Sequence, residues 1–190
     1  MMHNKNICNS YLSDKEYLQH MIDHHQVAVD MAEKLKTVSY MPFMLEIARN
    51  ISYTQTYEIW IMKMMFDGGI PNISLFDKKF KIWNPKYLTK CYYPNMAIDK
   101  NAKCEHHFFI PDKKMLMHIN NKNFLEHMIP HHQVAIDMSH RLLLHTKNPN
   151  LLEFANHIIH NQQDEIWNMK EILKNNGLQY QFNSPLFEQK

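Results

Sequence analysis

Two pairs of adjacent histidines, His24-His25 and His131-His132, are the residues of this chain best equipped for chemistry. A neutral imidazole is the commonest protein ligand of transition metals, and its second nitrogen can be oriented by a carboxylate. Each pair is followed downstream by a glutamine and a glutamate spaced as Q-x-x-E: Gln55 and Glu58, then Gln162 and Glu165. Residues three apart share one side of a helix. The chain also holds 14 His and 15 Met but only three Cys, counts that suit a metal without naming a site. No nucleophile–base arrangement, glycine-rich phosphate loop or GxSxG elbow occurs, so hydrolase and nucleotide chemistry have no support and no catalytic residue is assigned.

These residues recur because the chain repeats itself. Residues 17–35 read YLQHMIDHHQVAVDMAEKL and residues 124–142 read FLEHMIPHHQVAIDMSHRL, an offset of 107 positions (131 − 24). The same offset carries Pro42 onto Pro149, Ala48 onto Ala155, Gln55 onto Gln162, Glu58-Ile59-Trp60 onto Glu165-Ile166-Trp167, and Met62-Lys63 onto Met169-Lys170. A register kept over a whole hairpin marks a duplicated structural unit.

Each unit reads as two helices. Ser13-x-x-Glu16 is a capping box, in which hydroxyl and carboxylate satisfy backbone donors at a helix start, and its counterpart begins near Asn121. The second helices start at Pro42 and at Pro149, the latter after Asn148, since proline suits a first helical turn. They end near Gly68-Gly69 and Asn175-Asn176-Gly177. The expected fold is all-α: a four-helix bundle of two duplicated hairpins with a long irregular connection. One domain spans 1–190, with repeat one at 13–69, the connection at 70–118, repeat two at 119–177 and an extension at 178–190. The connection is expected to be irregular with one short helix, packed by Phe76, Phe80, Trp83 and Tyr87. Pro130 falls inside the first helix of repeat two, where it either kinks the helix or marks a later start.

At about 100° per residue, Tyr17, Met21, His24, His25, Ala28, Met31, Ala32 and Leu35 share one face of the first helix. Gln19, Asp23, Gln26, Asp30, Glu33 and Lys34 take the other. The second helix buries Met44, Ala48, Ile51, Gln55, Glu58, Ile59, Met62 and Phe66, and leaves Trp60 and Trp167 off the central face. Antiparallel packing with equal rise sets His24 level with Gln55 and Met21 with Glu58, then His131 with Gln162 and Met128 with Glu165. Four histidines, two glutamates and two glutamines therefore gather in one interior region. Burying an unpaired carboxylate costs several kcal/mol, so such a core needs a bound cation or a closed polar network. His20 and His127 stand at the edge of this face, one turn before His24 and His131.

At these residues the chain resembles the family catalogued as domain of unknown function 305, whose signature is close to MIPHHQxAIxMA with a later Q-x-x-E-I-x-x-M. Residues 128–139 (MIPHHQVAIDMS) match nearly letter for letter, and residues 21–32 (MIDHHQVAVDMA) depart at Asp23. Gln55, Glu58, Ile59 and Met62 match the later segment, as do Gln162, Glu165, Ile166 and Met169. The resemblance covers both hairpins but neither the connection nor the tail. It implies a ferritin-like bundle and, from some members, copper binding and copper tolerance. It implies the ligand candidates His24, His25, Met21 and Met31, with His131, His132, Met128 and Met138. Many members are exported, whereas this N-terminus has no apolar segment followed by a cleavage site.

Imidazole and thioether donors together favour copper over hard ions, with iron, manganese or zinc as alternatives. The leading expectation is a non-catalytic copper protein for sequestration or delivery, with Glu58 and Glu165 orienting histidines and His20 and His127 as further candidates. A di-iron or di-manganese redox enzyme is the second reading, weakened because only two glutamates face the core and no Glu-x-x-His does. A structural or interaction module with a polar core is the third. The net charge of +2 gives no reason to expect nucleic acid as a partner, and no apolar run is long enough for a membrane. An intracellular, soluble protein is expected, with Cys8, Cys91 and Cys104 as reduced thiols and a homo-oligomer left open. Cys91, Cys104, His106 and His107 could form a small zinc site, but their spacing is loose.

Overall fold

The computed structural model describes residues 12–69 and 118–174. They form four helices and no strand: α1 (Asp14–Val38), α2 (Pro42–Phe66), α3 (Asn121–Leu143) and α4 (Pro149–Lys174). The expected zinc group, the aromatic residues of the connection and the Asn175–Gly177 stop lie outside the described residues.

The starts follow local chemistry. Ser13 caps α1 through the Glu16 backbone N–H, while the Glu16 carboxylate accepts from the Ser13 N–H at 2.9 Å. Asn120 and Asn123 build the same reciprocal box at α3 with amides. Pro42 and Pro149 open α2 and α4, where a missing N–H deprives no intrahelical bond. The α2 helix stops before Gly68, whose φ of +81° is reached without strain by a residue lacking Cβ. Helix α3 runs unbroken from Asn121 through Pro130, so a start at the proline is ruled out. The carbonyl one turn earlier, at Glu126, is left without its helical donor.

All eight residues assigned to the inner face of α1 are buried, and all six assigned to the outer face are exposed. In α2 the assignment holds except for Phe66, which is half-buried at the helix end, packed on the core edge with the Lys15 ammonium over its ring. Trp60 and Trp167 are exposed.

The interior is divided lengthwise. One apolar cluster joins the start of α1 (Tyr17, Leu18, Met21), the end of α2 (Ile61, Met62), the end of α3 (Met138, Leu142) and the start of α4 (Phe154, Ile158). A second joins the end of α1 (Met31, Leu35), the start of α2 (Met44, Ile51), the start of α3 (Phe124, Met128) and the end of α4 (Ile166, Met169). The histidine pairs lie between the two clusters. This arrangement makes α1 antiparallel to α3, and it sets the end of α2 and the start of α3 at opposite ends of the bundle. Helices of 23 to 26 residues are about 35–39 Å long. The last residues of α2 and the first of α3 are therefore separated by about the length of a helix.

A buried hydrogen bond of 2.8 Å links the Tyr17 hydroxyl to Ser139 across the hairpins. At the positions equivalent under the repeat stand Phe124 and Ala32, an apolar version of the same contact. Tyr17→Phe or Ser139→Ala alone strands one buried hydroxyl and is expected to cost about 1–3 kcal/mol. The double substitution recreates the apolar pair and should recover most of that loss in a urea melt. Strictly additive losses would show that the two groups do not act as a pair.

Candidate metal centre

The polar layer is built from all four helices. His24 and His25 come from α1, Gln55 and Glu58 from α2, His131 and His132 from α3, and Gln162 from α4; His24, His25 and His132 are buried, and His131, half-buried as a residue, has both ring nitrogens shut away from solvent. Glu165 completes it from α4 with 22% of its side chain exposed, against 1% for Glu58.

Adjacent residues on a helix point about 100° apart, and the two members of each pair do different things. The His24 and His131 rings meet across the α1–α3 crossing, stacked with centroids 3.6 Å apart. Their neighbours turn away, at 6.0 Å and 53° for His24–His25 and 6.1 Å and 54° for His131–His132. His25 Nε2 donates to Glu58 at 3.0 Å, and His132 Nε2 donates to Glu165 at 2.6 Å.

Levels set by Cα positions do not by themselves say which histidine each glutamate meets: Glu58 meets His25 and Glu165 meets His132. Helical side chains lean toward their own N-terminus, so in an antiparallel pair each tip lies displaced from its Cα. Level matching by Cα alone misses that displacement.

One member of the layer was not anticipated. His157 of α4 places Nε2 3.2 Å from the second oxygen of Glu58, so one buried carboxylate is held by a histidine from each hairpin. The repeat offset puts Asn50, which is exposed, at the equivalent place in hairpin one. A histidine present in one copy and absent from the other was the available signal.

Electrostatics follow from burial. His24 is held well below the ordinary 6.5, first by burial and then by the imidazoles of His131, His25 and His132. Burial also lowers His131, followed by His132 and His25. Both rings are therefore neutral near pH 7, the form that can donate a lone pair. Burial pushes the Glu58 carboxyl up, but the neighbouring His157 and His25 imidazoles outweigh it and leave the group lowered to about 2. The pairing is incomplete. Nδ1 of His25 and of His132, and both amide atoms of Gln55 and Gln162, are buried without a hydrogen-bond partner in the protein.

Of the remaining candidates, Met21 and Met138 sit in one apolar cluster and Met31 and Met128 in the other. His20 and His127 are half-buried at the margin. Among the described residues, no three His, Cys, Asp or Glu side chains converge as a ready-made cage for an ion. None of the described helices is long and apolar enough to cross a membrane.

Solved structures of CopM share this architecture. Its Cu(II)-bound form is 26% identical, with a TM-score of 0.62 over 87% of this chain and 99% of that one. A silver-bound form is 27% identical, with a TM-score of 0.61 over 87% of this chain and 98% of that one. "Uncharacterized protein L153" of Acanthamoeba polyphaga mimivirus is 44% identical over 61 residues, 32% of this chain. The match spans 40% of that protein's length. The sequence profile of one family matches residues 6–66 and 114–179, which are the two hairpins. With the histidine pairs and the Q-x-x-E segments in register in both copies, the chain belongs to the family described as Domain of unknown function (DUF305).

Proposed function

We propose that this protein binds a transition-metal ion in its central polar layer, copper before iron, manganese or zinc, and that it holds the ion for sequestration or delivery. The observation that carries the reading is the meeting of His24 and His131, two neutral imidazoles from different hairpins, 3.6 Å apart inside the bundle. Neutral imidazoles in an apolar surround favour a borderline or soft cation. The unpartnered nitrogens and amides beside them supply further donors that a cation or its bound water would satisfy. CopM, whose structures include copper- and silver-bound forms, supports the same chemistry.

In this reading the residues divide by role. His24 and His131 are the leading ligands, joined by the Nδ1 atoms of His25 and His132, whose Nε2 atoms Glu58 and Glu165 hold in place. Met21 and Met128, one turn before the pairs, are the nearest thioethers along their helices. Met31 and Met138 stand roughly 10 Å further along and serve first as core. Gln55 and Gln162 are auxiliary donors. His20 and His127 are marginal ligands facing the outside of the layer.

Elemental analysis of protein made without a histidine tag is the test. Copper close to stoichiometry is expected, falling at least tenfold in a His24→Ala/His131→Ala double variant that remains helical, since loss of two ligands far exceeds the tenfold of about 1.4 kcal/mol. Wild-type protein that takes up no copper or silver, or a double variant that binds as well as wild type, would overturn the reading.

A further inference from the structure

The repeat is symmetric in sequence, but the two halves of the polar layer are not equally enclosed. In hairpin one the His25–Glu58 pair is sealed, with side-chain exposures of 0% and 1%, and the residue standing over Glu58 is His157 of the other hairpin. In hairpin two the same pair, His132–Glu165, has an equally buried imidazole but a carboxylate with 22% of its side chain in solvent. The position from which a cover would come is occupied by Asn50, which is exposed. Asparagine reaches one atom less far than histidine and brings no ring. The flanks of the two carboxylates differ as well, since buried Ile61 is answered by exposed Asn168, but the only histidine that reaches either carboxylate from the other hairpin in the described residues is His157.

We propose that the polar layer has a single door: an ion or small reagent reaches it past Glu165, while His157 bolts the equivalent route past Glu58. Glu165 is then the receiving group, a carboxylate in contact with water at one edge and with a buried imidazole nitrogen 2.6 Å away at the other. A cation drawn to it moves inward by exchanging water for imidazole. The sealed half gives the bundle a fixed floor, in which Glu58 stands between α1 and α4 and His25 cannot turn without breaking a buried hydrogen bond. As a statement about metal uptake, this rests on the function proposed above. As a statement about access, it does not.

The experiment exploits the repeat by exchanging the two residues. Diethyl pyrocarbonate, which acylates neutral imidazoles that it can reach, is applied to the metal-free protein, and each histidine is followed by peptide mass spectrometry. His132 is expected to react about tenfold faster than His25, since local openings span a wide range of free energies and sealed core groups open last. Asn50→His should slow His132 toward the rate of His25, and His157→Asn should raise His25 toward that of His132, with far-ultraviolet dichroism confirming folded protein in each case. Equal rates for the two histidines in wild type, or rates that the exchanges do not move, would overturn the single door whatever the metal analysis gives. The same variants assayed by stopped-flow uptake of Ag(I) add the metal arm. Asn50→His should slow association several-fold while leaving the amount bound at equilibrium unchanged, and loss of binding at equilibrium would instead count against the access role.

Discussion

Acidifying the metal-free protein from pH 7.5 to 5.5 should remove roughly 3 kcal/mol of its stability, because each of two buried imidazoles contributes about 1.4 kcal/mol per pH unit below its unfolded pKa. His24 and His131 both have folded pKa values far under 6.5. Their depressed values mean that the unfolded chain takes up protons that the folded core refuses. The stability this permits is complete above about 6.5 and drains away as pH falls below it. Glu58 works in a different window. With its folded pKa lowered to about 2, its share is intact above the usual carboxylate value and is lost only as pH drops from about 4.5 toward 2. A loss between 7.5 and 5.5 therefore belongs to the histidines. Urea midpoints at constant ionic strength measure it, and a His24→Gln/His131→Gln variant should flatten the curve. A midpoint that holds steady to pH 5.5, or that falls as steeply in the double variant, contradicts the neutral stacked pair. Bound metal should deepen the dependence, since protons and the cation compete for the same nitrogens.

Removing the Glu58 carboxylate is the second large effect. Glu58→Ala leaves two imidazoles inside the bundle without their shared acceptor, and breaking a buried pair by deleting one partner costs about 3–5 kcal/mol. Against a total of about 5–15 kcal/mol for a typical domain, that is a severe loss. Glu165→Ala deletes the repeat-equivalent carboxylate. It should cost clearly less, at the low end of the roughly 1.5–3 kcal/mol of a charge-assisted hydrogen bond, because water already reaches this group. Thermal melts rank the two. Glu58→Gln serves if the alanine variant does not fold, since it keeps the shape while weakening the pairing. Equal destabilisation by the two substitutions would mean that His157 adds nothing to the hold on Glu58. A triple change of His25, Glu58 and His157 to leucine should be milder than Glu58→Ala, because no charge or orphaned ring is left behind.

Much of the fold could be read from the residues. The 107-residue offset established two copies of one hairpin, and capping residues and prolines set helix starts that the structure reproduces. The composition of the polar layer followed from helical periodicity, because which residues share a face depends on local geometry only. That Glu58 and Glu165 would meet histidines was expected, but which histidine each would meet did not follow. His25 is the one that meets Glu58, and backbone levels could not tell it from His24, because side chains tilt along their helices. His157 escaped notice because the two copies were compared for what they share, whereas it matters for what they do not.

The sequence alone determined that two equivalent hairpins would each turn a histidine pair, a glutamine and a glutamate toward the interior, since 3.6 residues per turn fixes faces within a helix. Only the tertiary structure decided how the hairpins meet. It laid α1 antiparallel to α3, stacked His24 on His131, and brought His157 over one of the two repeat-equivalent glutamates. Those outcomes depend on how side-chain volumes from distant parts of the chain fill shared space, and no spacing along a single helix encodes that.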